Sequence, residues 1–355
     1  MSAILLWTLV AVIATAIIWK GSGLLERSSQ RLSAYYRLPE IVQGAIVVAV
    51  GSSFPELSTT VISTLVHGEF ELGVAAIVGS ALFNILVIPG LSGLASKSPL
   101  QANRDLVYKE AQFYMIAVAV LTLTFAFAAI YHPVETSPQG GSIQGEMTRW
   151  LALMPVALYG LYLFVQYQDT LDHESDEDVS DIRPGREWGR LALSLVVIVV
   201  GVEGLVRAAI NFGEIFGTPS FLWGITVVAA GTSIPDAFVS IRAARQGRGV
   251  TSIANVLGSN TFDLLVCIPA GVLIAGTAVV DFSLAAPMMA ALTFATVLLF
   301  LMMRTHMILS RRESICLLVV YAAFVVWVSL ESFGTIDLVP HLPPSGAVSA
   351  HATTG

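Results

Sequence analysis

Residues 39–56 read PEIVQGAIVVAVGSSFPE and residues 219–236 read PSFLWGITVVAAGTSIPD, one pattern displaced by 180 positions. Pro39, Gly44, Gly51, Ser53 and Pro55 fall on Pro219, Gly224, Gly231, Ser233 and Pro235, and Glu56 falls on Asp236. The register extends backward, with Gly21, Leu25 and Arg27 on Gly201, Leu205 and Arg207. Downstream, GSALFNILV (79–87) matches GSNTFDLLV (258–266) at a displacement of 179, which puts Ser80 on Ser259 and Asn84 on Asp263. Self-similarity on this scale marks a duplicated structural unit.

The units are built for lipid. Of 355 residues, 55% are hydrophobic and 12% charged, about half the charge of an ordinary soluble domain; the mean hydropathy is +0.77. A helix needs about 20 apolar residues to cross a bilayer. That ruler gives ten spans, over about 3–20, 40–66, 71–95, 110–131, 149–167, 188–210, 219–243, 250–276, 280–303 and 313–331. The first run lacks the basic start and small-residue cleavage site of a signal peptide, so it reads as a retained helix.

Sixteen of the eighteen Lys and Arg residues follow odd-numbered spans, the exceptions being Arg149 and Arg207. Positive loops stay cytoplasmic. Both termini are therefore expected outside, and each loop after an odd span inside. Five spans per unit is an odd number, so the second unit enters the membrane from the opposite side. The expected fold class is all-α polytopic membrane protein, ten transmembrane helices arranged as two inverted five-helix repeats, as in secondary transporters. The expected organisation is a first half over 1–167 (its repeat core about 39–95) and an acidic cytoplasmic linker over 168–187. A second half follows over 188–331 (repeat core about 219–276), then a disordered extracellular tail over 332–355. The loop 132–148 reads as a flexible connector.

The repeated motifs carry the chemistry. Pro55 and Pro235 bring no N–H, so each frees a carbonyl four residues back, at Gly51 and Gly231. In lipid such carbonyls survive only where another group, a cavity or an ion satisfies them. Ser52 and Glu56 are four residues apart and share a helix face. So do Thr232 and Asp236, Ser80 and Asn84, and Ser259 and Asp263. Taken singly, a hydroxyl in a membrane helix can simply bond its own i−4 carbonyl, and Gly79 and Gly258 can serve helix packing. Three carboxylates at mid-bilayer, Glu56, Asp236 and Asp263, are another matter. Each costs at least about 2.5–3.5 kcal/mol to insert, and the motifs contain no Lys or Arg to neutralise them. An oxygen-only ligand set points to a hard cation such as Ca2+ or Na+ as the neutralising partner. Glu203 and Arg207, also four apart, can pair with each other. Cys267 and Cys316 read as packing residues. The composition offers no basic patch for nucleic acid, and no nucleophile–base pair, zinc motif or phosphate loop for an enzyme.

GSSFPE with GSALFN, and GTSIPD with GSNTFD, resemble the two alpha repeats of the sodium/calcium exchanger (cation/Ca2+ antiporter) superfamily, and the ten-span layout extends the resemblance over nearly the whole chain. The resemblance implies electrogenic exchange of several Na+ for one Ca2+ by alternating access, with spans 1 and 6 moving against the rest. It implies Glu56 and Asp236 as central Ca2+ ligands shared with Na+, and Ser52 and Thr232 as supports acting through backbone oxygens. Ser53, Ser80, Ser233 and Ser259, with the carbonyls of Ala49 and Ala229, would line flanking Na+ sites. Asn84 and Asp263 would form the middle of the site. No bound cofactor is implied, and the cargo is Ca2+ and Na+.

Two departures qualify the match. Asp236 stands where many prokaryotic members carry Glu, and Asp263 occurs in both K+-dependent and K+-independent branches, which leaves K+ dependence open. Ser52 and Thr232 stand where the cation/proton branch has Asn, which disfavours Ca2+/H+ exchange without removing it. A cation channel is the more distant alternative, since channels build pores from rings of subunits, whereas here a complete pair of units lies in one chain. The chain lacks the large regulatory loop of animal exchangers and so resembles a minimal prokaryotic member, expected in the cell membrane, embedded in the lipid bilayer and functional as a monomer.

Overall fold

The computed structural model describes residues 2–36, 49–104, 106–134, 143–169, 183–304, 306–336 and 338. The chain is a helical multi-pass membrane protein. Among the described residues, nine helices are long and apolar enough to cross a membrane. They are α1 (Ser2–Tyr35), α4 (Phe70–Ala95), α5 (Leu106–Tyr131), α6 (Arg149–Asp169), α7 (Pro184–Phe216), α8 (Ser220–Arg245), α9 (Gly249–Ala275), α10 (Phe282–Arg304) and α11 (Arg311–Ser332). The span expected over 40–66 is seen from residue 49 onward as two pieces, α2 (Ala49–Ser52) and α3 (Phe54–Leu65). Its first residues, with Pro39 and Gly44, lie outside the described residues, as do most of the acidic linker and nearly all of the tail.

Two helices run well past their hydropathic limits. α1 was expected to stop near Lys20 but continues to Tyr35. The hydropathy ruler stops at the first charge, yet Gly21, Ser22, Leu25, Ser28, Ser29, Leu32 and Ser33 continue a buried stripe at helical spacing. Lys20, Arg27 and Arg31 therefore ride on α1 itself and not on a loop. α7 starts at Pro184, a residue suited to the first helical turn, and ends against Gly217, whose φ of 64° gives the left-handed cap.

α1 and α7 pack against each other in antiparallel fashion. A Cβ on Gly21 would lie 2.8 Å from Ile198, and one on Gly201 would lie 2.7 Å from Ile18. These four residues are two pairs of repeat counterparts, 18 with 198 and 21 with 201, so the contact is reciprocal. α4 is the most deeply buried span, followed by α9 and α8, while α1, α6 and α11 expose most of their apolar surface. Gly79 lets α4 cross α8 closely, since a Cβ there would meet the Ile225 carbonyl at 2.3 Å. Gly258 does not serve packing as its counterpart does, because open space surrounds its Cα.

Part of the expected connector 132–148 is ordered as a strand. β2 (Gln144–Thr148) pairs antiparallel with β3 (Thr277–Asp281), and β1 (Leu100–Gln101) pairs with β4 (Ile308–Leu309). Met147 is fully buried, and Gly145 sits against the backbone of Ala128 and Ala129, where a Cβ would not fit. Short ribbons of this kind carry almost no sequence signal.

Candidate functional site

The helix break falls at Ser53, whose φ and ψ of −92° and 10° interrupt the chain between α2 and α3. Glu56 therefore stands in the first turn of α3, where the orphan N–H groups and the positive end of the helix dipole favour a carboxylate. The corresponding break expected at Pro235 does not occur, and α8 runs unbroken through it. Here the irregularity lies about two turns earlier, as a π turn over Gly224–Val228. Thr232 and Ser233 both donate to the Ala229 carbonyl, at 3.3 and 2.8 Å. Ala229 thus has its carbonyl engaged by local hydroxyls.

The downstream motifs sit on paired π turns, Phe83–Val87 in α4 and Asp263–Cys267 in α9. Pro89 and Pro269 cause them. Each lacks an N–H and crowds the carbonyl four residues back, so the preceding turn widens. Ile88 then bonds Phe83 and Ile268 bonds Asp263, each five residues back. The second copy has one more residue before its proline, which moves the π turn onto Asp263 itself.

These elements bring the expected residues together. Glu56, Asp236 and Asp263 are each at most 2% exposed. Ser80 donates to Glu56 Oε1 at 3.4 Å and lies 2.8 Å from the Ser233 hydroxyl. Thr232 sits beside Glu56, and Ser259 and Asn84 sit beside Asp236. The Ser52 hydroxyl is 3.2 Å from that of Ser259. Ser53 and Cys267 flank Asp263. Ala49 enters only as backbone of α2.

Among the described residues, no ion pair reaches any of the three carboxylates. Glu56 Oε2, Asn84 Oδ1 and Asp263 Oδ2 are buried oxygens without a hydrogen-bond partner, and so is Ser53 Oγ. Such atoms are rare in folded proteins and call for a partner. No three His, Cys, Asp or Glu side chains among the described residues form a metal cage on their own. The oxygens come instead from a mixture of carboxylates, hydroxyls and an amide, the donor set that suits hard cations.

Two residues in the site gave no sequence signal of their own. Asn260 accepts from Asn84 Nδ2 at 2.9 Å and donates to the Ala81 carbonyl at 3.1 Å and to Tyr114 at 3.3 Å. Ala81 is its repeat counterpart, one of three positions at which GSALFN and GSNTFD differ. Cys267 is buried as expected, but its Sγ faces Asp263 Oδ1 at 3.7 Å and the Ser53 carbonyl at 3.9 Å. Cys316 is exposed, not packed. Glu203 pairs with Arg207 at 2.5 Å and also meets His67 at 3.0 Å.

The architecture defines a polytopic membrane protein with buried acidic residues inside its helix bundle. The chain belongs to the sodium/calcium exchanger protein family, whose profile matches residues 6–168 and 187–330. It is 26% identical over 346 residues to the sodium/calcium exchanger MaX1 of Methanosarcina acetivorans, covering 90% of this chain and 97% of that one. It is 34% identical over 139 residues to sodium/potassium/calcium exchanger 4 of mouse, covering 39% of this chain and 19% of that protein. The fold matches that of the sodium-calcium exchanger NCX_Mj with a TM-score of 0.57 at 23% identity, over 91% of this chain and 99% of the other. The chain is accordingly a cation/Ca2+ exchange transporter.

Proposed function

We propose that this chain is an electrogenic Na+/Ca2+ antiporter working by alternating access. Glu56 and Asp236 hold Ca2+, and both also serve Na+. Ser53, Ser80, Ser233 and Ser259, with backbone carbonyls at Ala49 and Ala229, line Na+ positions, while Ser52 and Thr232 support Ca2+. Asn84 and Asp263 complete the middle of the site. The observation that carries this reading is the set of three buried carboxylates without an ion-pair partner among the described residues, next to unpartnered oxygens of Glu56, Asn84 and Asp263. A buried charge needs a compensating charge, and a mobile cation supplies it. One pocket holds either one Ca2+ or several Na+, so the two fluxes exclude each other and are coupled.

The halves are 1–167 and 188–331, inverted with respect to each other. The antiparallel, reciprocal contact of Gly21 with Ile198 and of Gly201 with Ile18 supports that arrangement. Both termini face outside in the cell membrane, and the basic ends of α1 and α8 face the cytoplasm, by the positive-inside rule. The monomer is the working unit.

The test is radiolabelled Ca2+ uptake into Na+-loaded proteoliposomes, comparing wild type with Glu56→Gln. Uptake should require the outward Na+ gradient and be lost in the variant. Uptake that ignores Na+ and follows a pH gradient would overturn Na+ coupling. A K+-dependent variant of the same exchange is the second reading, favoured by Asp263 and by the similarity to the mouse sodium/potassium/calcium exchanger. Uptake that stops when K+ is omitted from the outer, Ca2+-containing medium would establish it.

A further inference from the structure

A small cleft opens beside Asp236 on the side of α1, with Pro235 and Val239 as its apolar wall. Its volume is about 10 Å3, and Ser22 and Glu26 of α1, Ser52 of α2, Asp236 of α8 and Asn255 of α9 line it. That is room for about one water-sized particle. Glu26 forms its outer wall and Asp236 its inner one, close enough for their charges to act on each other.

Ser22 and Glu26 are four residues apart on one face of α1, the same hydroxyl-and-carboxylate spacing found in the central motifs. The Ser22 hydroxyl is 3% exposed and has no hydrogen-bond partner. Glu26 is half-buried and accepts from Gln30 at 3.2 Å, and among the described residues it makes no ion pair. Its neighbour Arg27 directs Nε to the Gly23 carbonyl instead.

The other half does not repeat the groups that line this cleft. The repeat counterparts of Ser22 and Glu26 are Val202 and Val206, both fully buried. There Leu205 presses on Gly231, where a Cβ would lie 2.8 Å away, whereas its counterpart Leu25 stands 4.0 Å from the equivalent position on Gly51. Glu203, the carboxylate of α7 nearest these positions in sequence, is already paired with Arg207 and His67. Glu26 is thus a carboxylate with no ion-pair partner among the described residues and no counterpart at its repeat position, at the mouth of a cleft whose floor is Asp236.

We propose that Glu26 and Ser22 form a staging site for the transported cation on the side of the membrane marked by Arg27, Arg31, Arg242 and Arg245. The site passes the ion to Asp236 and sets the apparent affinity on that side alone. The proposal rests on the reading of Asp236 as an ion ligand.

The experiment measures the apparent KM for Ca2+ separately from each side, in oriented vesicles, for wild type, Glu26→Gln, Glu26→Asp and Ser22→Ala. Glu26→Gln should raise KM on the arginine-marked side by about tenfold and leave the opposite side within about twofold. Glu26→Asp should restore most of the affinity, and Ser22→Ala should raise the same KM by a smaller factor. Equal KM changes on both sides, or none on either, would overturn the staging site. If Glu26→Gln does not fold, Ser22→Cys in a Cys316→Ser background provides the second readout: a charged thiol reagent should react from the arginine-marked side, and Ca2+ should slow it. A reaction rate indifferent to Ca2+ would also overturn the proposal. Wild-type vesicles without Na+-driven Ca2+ flux would overturn the antiporter reading instead, which separates the two failures.

Discussion

The hydroxyl of Ser80 on α4 lies 2.8 Å from that of Ser233 on α8, a direct bond between two motifs 153 residues apart. The repeat counterpart of Ser80 is Ser259, and strict symmetry would bond it to Ser53. It meets Ser52 instead, at 3.2 Å. The chain break at Ser53 accounts for the slip: with α2 ending at Ser52, that hydroxyl reaches Ser259, while Ser53 turns toward Asp263. The two ends of the site are therefore chemically alike but not identical.

The Ser80–Ser233 bond predicts non-additive substitutions. Ser80→Ala and Ser233→Ala should each lower Na+-driven Ca2+ uptake, and the double variant should be no worse than the weaker single. The coupling should be about 1 kcal/mol, the usual net worth of one hydrogen bond. Strictly additive losses in a double-mutant cycle would show that the two hydroxyls act independently.

Gly79 and Gly258 occupy the same place in their motifs but not in the fold. A methyl at Gly79 would strike the Ile225 carbonyl at 2.3 Å, whereas Gly258 faces open space. Close approach of backbones is what small residues supply between membrane helices. Gly79→Ala should cost about 1–3 kcal/mol of stability, as overpacking does. Gly258→Ala should stay within about 0.5 kcal/mol. Thermal unfolding in detergent of both variants reads the contrast, and equal melting shifts would contradict the packing asymmetry.

The sequence carried the membrane class and most of the spans, because these rest on local apolar length. Fixed helical spacing put Ser52 and Glu56 on one face, but the break at Ser53 divides them between α2 and α3, and Thr232 sits beside Glu56. It misjudged the ends of α1 and α7, because charges that sit on a helix beyond the bilayer look like loop charges to a hydropathy ruler. It also took Pro235 for a second break. A proline opens a helix only as far as its surroundings let it, and the hydroxyls of Thr232 and Ser233 on the Ala229 carbonyl accompany an α8 that stays continuous. Asn260, Cys267 and Glu26 were illegible for a common reason: each acts across helices from distant parts of the chain, a juxtaposition that no local pattern encodes. The strand β2 was missed because five residues of mixed polarity, QGEMT, show no clear alternation.

Asn260 provides the last prediction. Its amide links α9 to α4 through Asn84 and the Ala81 carbonyl, and to α5 through Tyr114. All of these groups are buried, so removing the amide leaves donors and acceptors that water does not reach. Asn260→Ala should cost about 1–3 kcal/mol, the penalty of stranding a buried polar group. Tyr114→Phe removes the longest of these contacts and the bond between the same hydroxyl and Thr296, but keeps the Asn84 and Ala81 links, and should cost less than Asn260→Ala. The two also differ in function. Asn84 keeps Oδ1 free because Nδ2 is held by Asn260. Releasing the amide lets Asn84 rotate, so Asn260→Ala should weaken apparent Ca2+ affinity as well as stability, whereas Tyr114→Phe should leave affinity unchanged. Paired melting curves and Ca2+ titrations of the two variants check this. An Asn260→Ala protein that melts early yet binds Ca2+ with wild-type affinity would show that Asn260 braces the helices without orienting Asn84.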